Sequence, residues 1–370
     1  MDHQKLRDQT LKKLEYVMNN YYSQIFAEKV GEIEDPHCLQ TREHFRVPPT
    51  EGLEPLKKGF RWGGLDKNLW VIGTFTVPES ARGRDLYAVA RTEGREVLFF
   101  LNGEPHGLFS WVNEAFSGEH AARLICADAK PGERFDMALE CFDRLLMSGS
   151  DRFGFYSEDT AYDGNRDTSH DDDPGRTYRG VDICAMNVPL KDLYFDMREL
   201  FSIVNDRHDH GKLRQMARRV LLQVADTLIL CPQHYEKAVW QASVEESLKI
   251  TRAFFTADGG DAVFGRVGII GHTHLDTAWL WPVKESIRKA ARSFSNVLQL
   301  MDQYPDFKFM QSSALQTAWM KEYYPSVFEG IKRRIAEGRY ELNGAVWVEC
   351  DCNITTGESM VRQFLWGQRF

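Results

Sequence analysis

Val267-Gly268-Ile269-Ile270-Gly271-His272-Thr273-His274-Leu275-Asp276 is the stretch on which the fold of the C-terminal third turns. The apolar run Val267 to Ile270 predicts a short buried strand. Helical spacing follows over about Val283 to Gln303, then a second strand from Phe307 to Gln311 and a helix ending near Gly338, a residue suited to a helix stop. A third strand, Tyr340 to Val348, leads through Thr355-Thr356-Gly357-Glu358 into a further helix. Strand–helix alternation means parallel strands joined by right-handed crossovers. The expectation is the start of a β/α barrel or doubly wound sheet. Three strands cannot close a barrel, so the βαβαβα unit is incomplete within these residues.

Upstream the texture differs. Residues 3–30 read as helical, with Leu11, Leu14, Met18, Tyr21 and Ile25 at three- and four-residue spacing. Between about 45 and 148, Leu69–Val77, Leu86–Arg91, Glu96–Leu101, Leu108–Val112, Ala122–Ala127 and Arg134–Phe142 alternate as short strands. Asn102-Gly103 is a hairpin turn signal between two of them. Strands so spaced predict a β-sandwich, with Trp62, Trp70 and Trp111 as core residues before sugar platforms. Residues 151–180 are polar and acidic, and His170-Asp171-Asp172-Asp173 reads as solvated loop before cation site. Phe195–Val204, Leu213–Ile229 and Val239–Phe255 predict three helices. The fold class expected is therefore multidomain α+β: a helical segment at 1–44, a β-sandwich-like domain with its acidic loop at 45–189, a helical region at 190–260, and the start of the β/α domain at 265–370.

A chain of 370 residues should hold two or three domains. Hydrophobic content of 43% and charged content of 27% are those of a soluble globular protein. A net charge of −8 disfavours nucleic acid and anionic membrane as partners, since both need a basic surface. There is no run of 18 apolar residues and no secretion signal at the start. Seven irregularly spaced cysteines suit reduced thiols in the cytoplasm and not a disulfide framework.

The chemistry concentrates at two strand ends. In an extended stretch His274 and Asp276 share a face about 7 Å apart. An imidazole and a carboxylate so placed can bind a divalent metal, although most His-x-Asp pairs are ordinary surface or hydrogen-bonding residues. Ligands in α/β folds collect at the C-terminal ends of strands, which favours the metal. Trp279 adds an aromatic face. The third strand ends in Trp347-Val348-Glu349-Cys350-Asp351-Cys352-Asn353, which places Asp351 at the same sheet edge. Two carboxylates and one imidazole then give three ligands, leaving a position open, as catalytic zinc requires. Cys350 and Cys352 lack a matching second pair and are expected to be small buried neighbours of Asp351.

These two motifs, His274 to Trp281 and Trp347 to Asn353, followed by Thr356-Gly357-Glu358-Ser359 and Val361-Arg362-Gln363-Phe364, resemble the α-mannosidases of glycoside hydrolase family 38, closest to the cytosolic and vacuolar branch. The resemblance is strong over residues 265–370 and looser before them. It implies a β/α catalytic domain that cleaves α-mannosides of mannose-containing oligosaccharides with retention of configuration. It also implies zinc, with cobalt as a substitute, held by His274, Asp276 and Asp351, with Asp351 as nucleophile and Trp279 stacking on the sugar. The family's second zinc histidine and its general acid lie far downstream of the nucleophile. Here His274 is the last histidine, and Glu358 is the one carboxylate after Asp351. The expectation is the N-terminal part of a larger enzyme, inactive alone, acting in the cytoplasm; self-association into a homo-oligomer is left open. Two rival readings stand beside it. A metal-dependent amidohydrolase would use His272 and His274 but needs later histidines. A non-catalytic carbohydrate-binding fragment would bind glycans without metal.

Overall fold

The computed structural model describes residues 3–21, 24–64, 66–110, 122–143, 174–206, 211–256, 267–278 and 281–370. Trp111, Trp279 and the acidic run His170 to Asp173 lie outside the described residues. The chain divides into two compact units, residues 1–30 with 184–268, and residues 31–183 with 269–370.

The first unit is helical. Helices span His3–Tyr21, Val188–Asn205, Lys212–Thr227 and Lys237–Thr256. Leu11, Leu14 and Met18 recur at helical spacing and pack with Leu193, Met197, Leu200, Leu221, Val224 and Val244. The Val188–Asn205 helix begins seven residues before the Phe195 start expected, because the Asn187 side chain accepts from the Leu190 amide at 3.1 Å and Pro189 occupies the first turn. The first helix stops at Tyr21, so the helical reading of residues 3–30 is too long. Asn19 and Asn20 are weak helix formers, and the chain turns to a strand, Glu28–Glu32.

The second unit is built on a six-stranded antiparallel sheet. Its order is Glu54–Pro55, Glu34–Thr41, Asn68–Thr76, Arg134–Phe142, Glu96–Leu101 and Glu104–Ser110. Asn102 and Gly103 both take positive φ, 51° and 82°, which is the turn a two-residue hairpin needs. Leu86–Arg91 and Ala122–Cys126 pair antiparallel in another sheet. Trp62 and Trp70 are fully buried, so both act as core residues. A third sheet is parallel, with Gly271–His272, Phe309–Ser313 and Tyr340–Val346 in that order.

The Val283–Gln303 helix packs against both kinds of sheet. Its Ala290, Ala291, Phe294 and Val297 share one core with Trp70, Leu98, Phe100 and Ala138 of the antiparallel sheet, and with Phe309 and Tyr340 of the parallel one. Along the same helix Glu285, Arg288 and Arg292 recur at three- and four-residue spacing and are also buried. Arg288 lies 2.9 Å from Glu140 and from Glu285, and Arg292 lies 2.6 Å from Glu96 and 2.7 Å from Glu285. Buried charges persist only when paired, and here the pairs link helix to sheet.

Two expectations in this region are corrected. Val267 to Ile270 is not a buried strand: Val267 is 82% exposed, Ile269 86% and Ile270 59%, and pairing starts only at Gly271. Among the described residues this run has no strand beside it before the Gly271 amide reaches the Lys308 carbonyl at 2.8 Å. The single helix read as ending near Gly338 is two, Ala314–Tyr323 and Pro325–Ala336. Pro325 has no amide hydrogen to continue the first helix and suits the first turn of the second.

Candidate functional site

His274 and Asp276 lie in the loop between the Gly271–His272 strand and the Val283–Gln303 helix. That loop is tied down by its own backbone. The Leu275 carbonyl accepts from Gln316 Nε2 at 2.5 Å, and Gln316 in turn accepts from Gln311 at 2.8 Å, inside the protein. Ser286 Oγ donates to the Thr277 carbonyl and accepts from Trp281 Nε1 at 2.9 Å. Gln311, Gln316 and Ser286 are all buried, so the loop is anchored on residues that cannot move independently of the core.

The side chains that this loop presents meet at the solvent edge. His274 Nε2 lies 3.4 Å from Asp276 Oδ1. On the other side of the ring, His274 Nδ1 lies 3.2 Å from Glu349 Oε2. Glu349 is fixed by Ser312, whose hydroxyl donates to Glu349 Oε1 at 2.7 Å. Ser312 belongs to the middle parallel strand, so all three strand ends contribute to this corner.

Asp351 sits further along the same loop as Glu349. Its Oδ1 accepts from the Asn353 amide at 2.9 Å, and its carbonyl accepts from the Thr355 amide at 3.1 Å. That turn delivers the chain into the Gly357–Arg369 helix, where Thr356 Oγ1 accepts from the Ser359 amide at 3.2 Å. Glu358 lies in the first turn of that helix and pairs with Arg362 at 2.7 Å. The start of the loop is stitched to the same helix: Trp347 N donates to the Gln363 carbonyl at 2.9 Å, and Val348 N to Gln363 Oε1 at 2.7 Å.

The structure thus brings His274 and Asp276 together and adds Glu349, which the sequence reading quoted but gave no role. It records no contact of Asp351 with either of them, and among the described residues no group of three His, Cys, Asp or Glu side chains is arranged to hold a metal. Spacing could have found Glu349: it stands two residues before Asp351, so in extended chain both face one side. Cys350 and Cys352 are not the buried pair expected. Cys350 is half-buried and Cys352 exposed, and both are free thiols.

Two donors each about 2.0–2.1 Å from a tetrahedral zinc lie roughly 3.3 Å apart. The 3.4 Å between His274 Nε2 and Asp276 Oδ1 fits one edge of that tetrahedron. A neutral imidazole and a carboxylate are also the donor types that zinc accepts.

Comparison with known proteins adds to this geometry. Residues 265–370 match the family described as glycosyl hydrolases family 38 N-terminal domain. The chain is 45% identical over 352 residues to Alpha-mannosidase 2C1 of Mus musculus, covering 92% of this chain and 31% of that one. It is 28% identical over 378 residues to Alpha-mannosidase G of Dictyostelium discoideum, covering 99% of this chain and 32% of the relative. Against Alpha-mannosidase of Saccharomyces cerevisiae it is 44% identical over 113 residues, which is 30% of this chain and 10% of the other. The chain spans about a third of the length of the first two relatives. Among the described residues no helix is long and apolar enough to cross a membrane.

Proposed function

We propose, from the match of residues 265–370 to the glycosyl hydrolases family 38 N-terminal domain, that the protein is a retaining α-mannosidase acting on mannose-containing oligosaccharides in the cytoplasm. The similarity to relatives named α-mannosidase over most of the chain supports the activity. The observation that carries the site is the 3.4 Å approach of His274 to Asp276 on a loop clamped by buried residues. In this reading residues 265–370 begin a β/α catalytic domain.

His274, Asp276 and Asp351 would hold a zinc ion, with cobalt as a substitute. An ion held there would supply Lewis-acid stabilisation of charge developing on substrate oxygens. Asp351 is the nucleophile. Its carboxylate oxygen forms a bond to the anomeric carbon as the glycosidic C–O bond breaks, and the leaving oxygen takes a proton from a carboxylic acid elsewhere in the protein. Water then displaces Asp351 from the same carbon, which restores the original configuration. The Asn353 amide on Asp351 Oδ1 holds that carboxyl in one orientation between turnovers. Trp279 covers the apolar face of the sugar ring and excludes water.

The test uses the native full-length protein with an aryl α-mannoside. Cleavage with retention, abolished by Asp351→Asn in a variant of unchanged fold, is the expected result. Hydrolysis by Asp351→Asn at the wild-type rate overturns the nucleophile assignment. Failure of the wild type to cleave any aryl α-mannoside overturns the activity, and metal-independent binding of mannose polymers would then mark a carbohydrate-binding protein.

A further inference from the structure

One carboxylate at the site has no part in the reading above. Glu349 Oε2 lies 3.2 Å from His274 Nδ1, while the ring's other nitrogen, Nε2, faces Asp276 at 3.4 Å. The two ring nitrogens are therefore sorted between two carboxylates. The carboxylates themselves differ. Asp276 belongs to the same loop as the histidine, whereas Glu349 arrives from the end of the third parallel strand. Its second oxygen is occupied by Ser312 at 2.7 Å. Glu349 is thus held by a neighbouring strand, with one oxygen free to act on the imidazole.

A histidine binds a metal through one nitrogen in its unprotonated form, and the proton must then sit on the other. A carboxylate that accepts the Nδ1 hydrogen keeps it there, fixes the ring plane and raises the basicity of Nε2. We infer that Glu349 is a positioning residue that holds His274 as the Nδ1–H tautomer, with Nε2 directed to the metal position beside Asp276. Ser312 orients Glu349 in its turn. The chain His274–Glu349–Ser312 runs from the first strand's loop to the middle strand through the third, so one ligand's orientation depends on the registry of the whole parallel sheet. The inference rests on His274 being a metal ligand.

Two measurements on the full chain test it. Metal-free protein labelled with ¹⁵N-histidine should show the neutral ring of His274 as the Nδ1–H tautomer, and Glu349→Ala should shift it toward Nε2–H, the form imidazole prefers in water. Zinc titrations against a chromophoric chelator should then give affinity weakened about 10- to 100-fold in Glu349→Ala. Glu349→Gln, whose amide oxygen still accepts a hydrogen bond, should stay within a few-fold of wild type, and His274→Ala should lose the site. If Glu349→Ala binds zinc as tightly as wild type while His274→Ala does not, the positioning role is wrong and the metal reading stands. If Glu349→Gln loses zinc as completely as His274→Ala, Glu349 is a direct ligand and the inference is overturned. If wild type and His274→Ala bind zinc alike, the metal reading fails and takes the inference with it. Glu349 is about half exposed, so its variants should fold, and thermal unfolding monitors that.

Discussion

Arg288 and Glu140 meet at 2.9 Å with neither side chain open to water, one on the helix that follows the His274–Asp276 loop, the other on a central strand of the six-stranded sheet. Arg288 also reaches Asn68 and Glu285, and His44 lies 3.5 Å from Glu140. The antiparallel sheet therefore fixes the helix, and Ser286 on that helix fixes the loop through the Thr277 carbonyl. Sheet residues outside the loop thus set where His274 stands.

Removing one partner should be costly. Arg288→Met leaves Glu140 buried without its main counter-charge, and such a loss costs about 3–5 kcal/mol. Arg288→Met combined with Glu140→Gln should recover a large part of that, because the uncompensated charge is gone. Urea unfolding of the single and double variants measures both. A single variant within 1 kcal/mol of wild type would mean the pair does not hold the helix.

The same pair makes stability depend on acid. Burial pushes the Glu140 carboxyl up, but Arg288, His44 and Arg292 outweigh it and hold it at about 2. For Glu96 burial again pushes up, and Lys289 and Arg292 bring it to about 2. Both folded values lie below the ordinary carboxylate value of 4.5. Their stabilisation is therefore complete above about pH 4.5 and is lost as pH falls toward about 2. Urea midpoints should drop through this window, and the slope should flatten in Glu140→Gln. Equal slopes in the two proteins would remove Glu140 as a cause.

Gly73 tests the packing of the sheet itself. A Cβ there would meet Ile33 Cγ1 at 2.6 Å and the Glu34 carbonyl at 2.7 Å, at the irregularity where the Glu34–Thr41 strand shifts register. Backbone cannot move aside as a flexible side chain does. Gly73→Ala should cost about 1–3 kcal/mol and lower the melting temperature by several degrees. An unchanged melting temperature would show that the strand relaxes freely.

Metal removal should separate structure from activity. In the full-length protein a chelator should abolish mannoside hydrolysis while leaving thermal unfolding of the buried Glu140–Arg288 unit close to its original value. Added zinc should restore the wild type and should not restore His274→Ala. Full activity in excess chelator would argue against a catalytic metal.

Much of the fold was legible because periodicity reports burial directly. Leu86–Arg91, Glu96–Leu101, Arg134–Phe142 and Val283–Gln303 begin and end where alternation or helical spacing does. Val267 to Ile270 departs from the buried strand its apolar run predicts because hydrophobicity says what a residue prefers, not what covers it. The break at Tyr324-Pro325 is encoded by Pro325 alone, although apolar spacing runs on across it. At the site, His274 and Asp276 can be paired from sequence because a single residue separates them. Glu349 can be nominated by its two-residue spacing from Asp351, but its meeting with His274 and its support by Ser312 depend on the register of three parallel strands, which no local pattern encodes.

The helix–sheet ion pairs also impose an order in time. Asn68 and Arg288, which meet in the core, are 220 residues apart in the chain. At about 5–20 residues per second, a ribosome takes on the order of 10–40 s to make that interval. Until Arg288 and Arg292 emerge, Glu140 and Glu96 stay hydrated, and the face carrying Trp70, Leu98 and Phe100 stands open. The nascent sheet is therefore a waiting half, exposed to chaperones and to aggregation, and its completion belongs to the same event that sets the His274 loop.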